Sequence, residues 1–291
     1  MRILLFCISF YLFSPTVYSD SANIDSIISS LRSAAEDNKE KSNSTIKNNL
    51  GTVISSALNI FKGYSVEQEV LIGKTISARL MDSAPLVKND RLQYYVNHVG
   101  RWVASHSERT DIEWHFGVLD SEKLNAFAAP GGYILITKGL YRQLNSEAEL
   151  AAVLGHEIGH VLKKHHLSIL KKSSWMELGR VLAEHKLGGN NKLIDNLIGS
   201  GAEFMARSLD KSAEYEADRV GIVLASRAGY NGYALPIVLQ DIGHASTQKA
   251  DVSLWFKTHP HPNDRLEQLS SAMSQYSDSG LMLEKRFYRL R

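Results

Sequence analysis

Cysteine is almost missing from this sequence of 291 residues, and its scarcity excludes two kinds of structure. The one cysteine, Cys7, lies within the first 19 residues, too early and without a preceding small residue to mark a lipoprotein cleavage site. The rest of the chain can therefore form no disulfide and offers no thiolate to a metal. Such a chain is compatible with an oxidising compartment.

Charge of one sign is not in excess either. The chain has 33 Lys and Arg against 31 Asp and Glu, and no long block of a single sign. Binding to a polyanion needs a basic patch or stripe. We therefore expect no nucleic-acid partner.

Long apolar runs are also lacking. Crossing a bilayer takes about 20 consecutive apolar residues, and no run in this sequence is that long. The N-terminus has Arg2, then the apolar run Ile3–Phe13, and a Val17-Tyr18-Ser19 ending that loosely fits a cleavage site. This pattern predicts a secretory signal peptide at residues 1–19. An uncleaved N-terminal anchor is the alternative. We expect an exported protein, in a bacterial periplasm, and leave peripheral membrane association open.

The sequence after residue 19 predicts a polar extension, one folded domain and a short tail. Residues 20–64 are rich in Ser, Asn and Lys, which is typical of a marginal helix and a flexible linker. Helical apolar spacing starts after Ser65, which forms a predicted capping box with Gln68. A second helix in "NDRLQYYVNHVGRWVASHS" and short strands in "IEWHFGVLD" and "GYILIT" follow. We place the domain at residues 65–270 and a C-terminal tail at 271–291.

The stretch "AAVLGHEIGHVLKKHH", residues 151–166, combines several histidines with small apolar residues. Just before it, Ser146 and Glu149 have the spacing of another capping box. Acidic residues in this first turn also suit the positive end of a helix dipole. The stretch is therefore predicted to be helical.

His156 and His160 lie four residues apart, so on a helix both imidazoles project from the same face. Two neutral imidazoles on one face can share a divalent cation. Glu157 lies at the edge of that face, close to a water on the metal. This is the HExxH signature of zinc peptidases, in which the glutamate is the general base. The alternative, a core helix with two hydrogen-bonded histidines, would bury three polar side chains at a cost.

Two residues compete to be the third metal ligand, and His166 is the first of them. It has the spacing found in HExxHxxGxxH peptidases, which need glycine where this chain has Lys163. We interpret residues 163–166 instead as a basic, polar helix end that suits the dipole.

Glu214 is the second candidate, and we favour it. With Asp218 four residues later it shares one helical face, so a second helix could add a carboxylate to the two histidines and leave one position open. Asp218 could then hydrogen-bond the distal nitrogen of a ligating histidine. The alternative is a solvated acidic face paired with Lys211 and Arg219.

Four segments together resemble the HtpX and CaaX-prenyl-protease type of zinc metallopeptidase, metallopeptidase family forty-eight. They are "NAFAAPGGYILITKGL", "SEAELAAVLGHEIGHV", "EYEADRVG" and "THPHPNDRL", within roughly residues 65–269. The chain is most similar to short, exported bacterial members without a helical-repeat domain. The resemblance implies an α+β, predominantly helical, gluzincin-like fold with a small sheet whose edge strand borders the active-site cleft.

The resemblance also implies roles for individual residues. It implies one Zn²⁺ held by His156, His160 and Glu214, with Glu157 as the general base. Asp218 is implied either as an aspartate that supports a ligating histidine or as a proton donor. His259 matches a late His-Pro histidine that approaches zinc in some relatives, although His261 beside it leaves open which of the two does so. A substrate-binding segment is implied at Asn125, Ala126, Phe127, Pro130, Gly131 and Gly132.

The expected function is that of a zinc endopeptidase acting on polypeptides, with unfolded or misassembled envelope proteins as the expected substrates. A chaperone-like or assembly factor with a self-inhibited zinc site is the alternative. Residues 168–205 contain amphipathic stretches broken by Gly188-Gly189, which favour a helical hairpin on the core over a membrane contact.

Overall fold

The computed structural model describes residues 64–173, 209–244, 255, 258–273 and 280–290. The expected signal peptide at 1–19 and the polar extension up to residue 63 lie outside these ranges. So does most of the expected helical hairpin. The division into domains stays a prediction.

Helices dominate the described residues, with three short strands between the second and third helix. In chain order the elements are α1 (Val66–Ser83), α2 (Asp90–Ala104), β1 (His115–Leu119), β2 (Ala126–Ala129), β3 (Tyr133–Thr137), α3 (Lys138–Gln143), α4 (Glu147–Leu162), α5 (Lys211–Arg227), α6 (Ala234–His244) and α7 (Pro262–Met273). The predicted α+β, predominantly helical class is confirmed. Within the described ranges, no helix combines the length and apolar character that crossing a membrane requires.

The three strands form a mixed sheet in the order β1-β3-β2. β1 runs parallel to β3, with His115 opposite Tyr133, and β2 runs antiparallel to β3, with Ala126 opposite Ile136. β2 is therefore an edge strand of the described sheet. The 3-10 turn Pro130–Gly132 joins it to β3.

Side chains alternate between the two faces of the sheet, as the two-residue period of a strand requires. Ile134 and Ile136 of β3 belong to the larger hydrophobic core, which includes α2 and α4. Tyr133 and Leu135 belong to a second cluster with α1. The sheet is thus covered by helices on both faces, and α4 lies in the larger core.

Both predicted N-terminal caps are present. Ser65 and Gln68 form the full reciprocal capping box at the start of α1. At the start of α4, Ser146 accepts the backbone N–H of Glu149, but the Glu149 carboxylate binds the N–H of Asn145 at 2.7 Å. The two caps fix where α1 and α4 begin.

Residues 280–290 pack against the first turn of α4. The fully buried Glu147 carboxylate accepts hydrogen bonds from Tyr95 at 2.9 Å and from Tyr230 at 2.8 Å. The Nε of Arg286 adds a third at 2.8 Å. A buried carboxylate needs such donors, so these contacts anchor the beginning of the helix that carries the HExxH motif.

Candidate active site

Close packing of α4 against α5 creates the site, because small residues face one another along the contact. A Cβ added at Gly155 would lie 2.9 Å from the Gly221 carbonyl oxygen, and one at Gly159 would lie 3.1 Å from the Cα of Ala217. A Cβ at the first distance would force the backbone to shift, and a Cβ at the second would be tighter than most real contacts. The two helices thus meet backbone to backbone, which brings the acidic face of α5 against the histidines of α4.

Four side chains converge at this contact: His156, His160, Glu214 and His259. One ligand atom from each lies within 4.8 Å of all the others, and all four residues are buried. The Nε2 atoms of His156 and His160 are 3.0 Å apart, and Glu214 oxygens lie 3.7 Å and 3.5 Å from them. His259 Nε2 lies 3.9 Å from Glu214.

The chemistry of this cluster fits a divalent cation. Within the described residues, neither carboxylate oxygen of Glu214 has a hydrogen-bond partner, and Oε1 of the adjacent Glu157 has none. Burial raises the pKa of Glu214 well above its ordinary value. With Asp218, three buried carboxylates face one buried guanidinium, that of Arg265, so the ionised cluster carries a formal excess of two negative charges. Imidazole nitrogens with a carboxylate are ligands that zinc accepts.

Asp218 and Arg265 together hold His156 in place. Asp218 Oδ1 lies 2.8 Å from His156 Nδ1, so the ring donates there and presents Nε2 to the cluster. Arg265 donates its Nε to Asp218 Oδ2 at 2.9 Å. Burial alone would raise the pKa of Asp218, but the Arg265 guanidinium holds it well below its ordinary range. Asp218 is therefore an ionised acceptor that fixes the orientation of His156.

Arg265 was missed by the sequence reasoning, although it lies in the quoted segment "THPHPNDRL". It is fully buried near the start of α7. A buried arginine requires carboxylate partners, but the sequence alone gives no sign that this arginine is buried.

The carboxylate of Glu157 lies beside the cluster and lines the same pocket as Glu214 and His259. Its Oε1 is 4.0 Å from His259 Nε2. Burial raises the pKa of Glu157 to about 8, and the Arg265 guanidinium acts in the opposite direction. A carboxyl group with a raised pKa is a stronger proton acceptor when ionised.

His259 reaches the cluster and His261 does not. The His259 ring stacks on Trp255 with the ring centroids 4.4 Å apart. Its Nδ1 lies 2.8 Å from Thr258 Oγ1. His261 is exposed, and its Nδ1 accepts the backbone N–H of Asn263.

Comparison with known proteins gives the family. The sequence pattern of Peptidase family M48 matches residues 88–273, which include all four converging side chains. The chain belongs to peptidase family M48. The resemblance stated from the motifs is therefore confirmed.

Named relatives come from bacteria and from mitochondria. The beta-barrel assembly-enhancing protease of Escherichia coli K12 is 29% identical over 251 residues, which cover 82% of this chain and 49% of the relative. The putative beta-barrel assembly-enhancing protease of Vibrio cholerae is 27% identical over 78% of this chain and 47% of the relative. The mitochondrial metalloendopeptidase OMA1 of Arabidopsis thaliana is 28% identical over 58% of this chain and 33% of the relative. The chain thus spans about half the length of the bacterial relatives.

The expected substrate-binding segment is only partly at the pocket of this M48 site. Ala126 and Ala128 of the edge strand β2 line the pocket. Phe127 points into the cluster on the other face of the sheet, with α1. Asn125 is fully buried and accepts a hydrogen bond from Thr258 at 3.3 Å.

The turn of that segment, Pro130–Gly132, packs against α1 instead. Gly131 has φ 73°, a backbone conformation that glycine adopts without strain. Its N–H donates to the buried Glu69 at 3.3 Å. Glu69 also binds Arg109 at 3.2 Å. These contacts fix the path of the chain from β2 into β3.

Residues 163–166 are only partly the polar helix end that we expected, because the exposed Lys163 and Lys164 follow α4 but His166 is buried. α4 ends at Leu162, and Lys164 takes φ 55°, in the left-handed region that costs a residue other than glycine about 1–3 kcal/mol. This break turns the next two residues back toward the site. His166 lines the pocket, with its ring centroid 5.8 Å from that of His160. The sequence did not predict this turn toward the site, because it depends on a left-handed backbone at Lys164 and a lysine rarely adopts that conformation.

Proposed function

We propose that the protein is a zinc-dependent endopeptidase that hydrolyses unfolded or misassembled polypeptides of the bacterial envelope. The observation that carries the proposal is the buried cluster of His156, His160 and Glu214 with Glu157 beside it. Membership of family M48 supports the peptidase chemistry. The printed role of two relatives in β-barrel assembly supports the substrate class.

Export to the periplasm is part of the same proposal. It is supported by the basic residue, apolar run and cleavage-like ending at residues 1–19. Peripheral contact with a membrane is compatible with it. A periplasmic location would give the peptidase access to envelope proteins before they are assembled.

In the proposed reaction, His156, His160 and Glu214 would hold the metal. Zinc held there would supply Lewis acidity toward the scissile carbonyl and would lower the pKa of water to near neutral. Asp218, held by Arg265, keeps the His156 proton on Nδ1, so that Nε2 remains a ligand atom.

Glu157 takes the proton of the attacking water and delivers it to the leaving amine. Its burial supports both steps, since it strengthens the carboxylate as a base and keeps bulk water from competing. In the described sheet β2 has no neighbour on its outer side, where a peptide could pair as an additional strand, with Ala126 and Ala128 lining the pocket. Backbone pairing of this kind accepts varied sequences.

The direct test measures zinc per chain by elemental analysis and hydrolysis of casein, for the wild type and for Glu157→Gln. We expect about one zinc in both proteins, and a loss of hydrolysis by about 10²–10⁴-fold in Glu157→Gln, the usual contribution of a positioned acid or base. The variant keeps the three metal-holding side chains, so it separates binding from chemistry. A wild type that contains no zinc would refute the proposal.

One observation favours a second candidate, a chaperone-like or assembly factor whose metal site is closed by its own chain. The Thr258 hydroxyl lies within reach of the Trp255 carbonyl and the Asn125 amide oxygen, and when it donates to either of them it accepts Nδ1–H of His259. His259 Nε2 is then a bare acceptor that points at the cluster. A fourth protein ligand gives the closed coordination typical of structural zinc.

The substitution His259→Ala distinguishes the two candidates. If the imidazole closes the site, casein hydrolysis should rise while zinc content stays near one per chain. A fall in hydrolysis with unchanged zinc would instead make His259 part of the working site. A wild type and a His259→Ala variant that both bind zinc without hydrolysis would favour the assembly factor.

A further inference from the structure

His160 has a hydrogen-bonding partner that no motif predicts. Its Nδ1 lies 2.9 Å from Nδ1 of His165, and the two rings meet edge to face with centroids 5.0 Å apart. The left-handed backbone of Lys164 places His165 there, immediately after the end of α4. The side chain of His165 is 10% exposed, so this contact is largely shielded from water.

The direction of this hydrogen bond follows from the chemistry of the two rings. His160 directs Nε2 at His156 and Glu214, so a metal held there takes the Nε2 lone pair and leaves the proton on Nδ1. Only one proton fits between two facing nitrogens. His160 is therefore the donor, His165 Nδ1 is the acceptor, and the proton of neutral His165 lies on Nε2.

Glu216 accepts that second proton. His165 Nε2 lies 3.3 Å from Glu216 Oε2, and Glu216 Oε1 lies 2.8 Å from the ammonium group of Lys163. The resulting chain runs from His160 through His165 to Glu216 with every donor facing an acceptor. Glu216 comes from α5, the helix that also carries Glu214 and Asp218.

Each metal-holding histidine thus has its own hydrogen-bonded support. His156 is supported by the buried pair of Asp218 and Arg265. His160 is supported through the imidazole of His165 by Glu216, whose side chain is 40% exposed at the surface. Support of this kind fixes the tautomer and the ring orientation of a ligand.

We infer that His165 is a positioning residue, anchored by Glu216, which holds His160 as a donor through Nδ1 and thereby presents its Nε2 to the metal. The inference rests on the proposed function, since it concerns the metal of that site. It assigns a role to His165, which the sequence reasoning gave to a polar helix end, and to Glu216, which no motif in the sequence singled out.

The experiment compares full-length wild type with His165→Leu, His165→Asn and Glu216→Ala. Zinc affinity is measured by competition with a chelator, the visible spectrum is recorded with Co²⁺ in place of zinc, and kcat and KM are measured on casein. Leucine removes the acceptor but keeps apolar bulk, whereas the Oδ1 of asparagine can occupy the position of Nδ1. His98→Leu, the same change at an exposed histidine of α2, is the control.

We expect His165→Leu to weaken zinc binding by about 10–100-fold and to alter the Co²⁺ spectrum, as loss of a supporting hydrogen bond does elsewhere. His165→Asn should recover most of the affinity and the spectrum, and Glu216→Ala should show a smaller loss in the same direction. His98→Leu should match the wild type.

Unchanged affinity and spectrum in His165→Leu would overturn the inference, and so would an asparagine variant as weak as the leucine variant, because that result indicates packing alone. If His165→Leu does not fold, Glu216→Ala decides, and unchanged zinc affinity in it counts against the inference. A wild type that binds zinc and cleaves casein beside unaffected variants refutes only this inference. A wild type without zinc refutes the proposed function as well.

Discussion

Gly221→Ala tests whether the backbone contact between α4 and α5 positions the site. The added Cβ would lie 2.6 Å from the backbone nitrogen of His156, and its three nearest atoms all belong to backbone, so no side-chain rotation relieves the clash. Restoring an ordinary separation of 3.4 Å moves the helices apart by about 0.8 Å (3.4 − 2.6). Overpacking of this kind costs about 1–3 kcal/mol, against a gain of about 1 kcal/mol in helix propensity.

The same shift carries Glu214 and Asp218 away from the histidines. A misplacement near 1 Å costs up to about 10²-fold in rate, so kcat/KM on casein should fall by about 10–100-fold and zinc affinity should fall with it. Urea unfolding measures the loss of stability in the same preparation.

Gly243→Ala provides the matched control, because it is also a helical glycine and its added Cβ would lie an ordinary 3.4 Å from Pro262. This control should be neutral or slightly more stable, with wild-type activity. The reasoning would be refuted by a Gly221→Ala protein as stable and as active as the control.

Three further substitutions probe the supports of the site. Asp218→Asn should lower zinc affinity by about 10–100-fold in chelator competition, since a neutral amide holds His156 less firmly. Arg265→Met should lower the free energy of unfolding in urea by about 3–5 kcal/mol, because it leaves the Asp218 carboxylate buried without its cation. Glu147→Gln should lower the free energy of unfolding by about 1–3 kcal/mol, seen as a lower melting temperature, because the buried group that accepts from three donors loses its charge.

Local signals carried the sequence reasoning furthest. The caps at Ser65 and Ser146 and the four-residue spacing of His156 and His160 depend only on neighbouring residues, and a helix translates such spacing directly into a shared face. Glu214 was found because a second pair at the same spacing offered a matching face. In each case the pattern and its structural consequence lie within one element.

Features that depend on tertiary contacts were less predictable. β2 is built largely of alanine, which has little strand propensity, and pairing with β3 decides its conformation. The placement of His165 depends on a lysine in the left-handed region, a conformation that residue type alone does not indicate. Arg265 gains its role only when α7 packs beside Asp218.

The anchoring of Glu147 by Arg286 has a consequence for the order in which the molecule matures. These two residues are 139 positions apart, and the donor belongs to residues 280–290, which are synthesised after every residue of the metal cluster. Bringing such distant segments together takes longer than forming local structure. The helix with the HExxH motif therefore gains this anchor only after residue 286 has been synthesised, so the beginning of that helix becomes fully ordered late in the maturation of the chain.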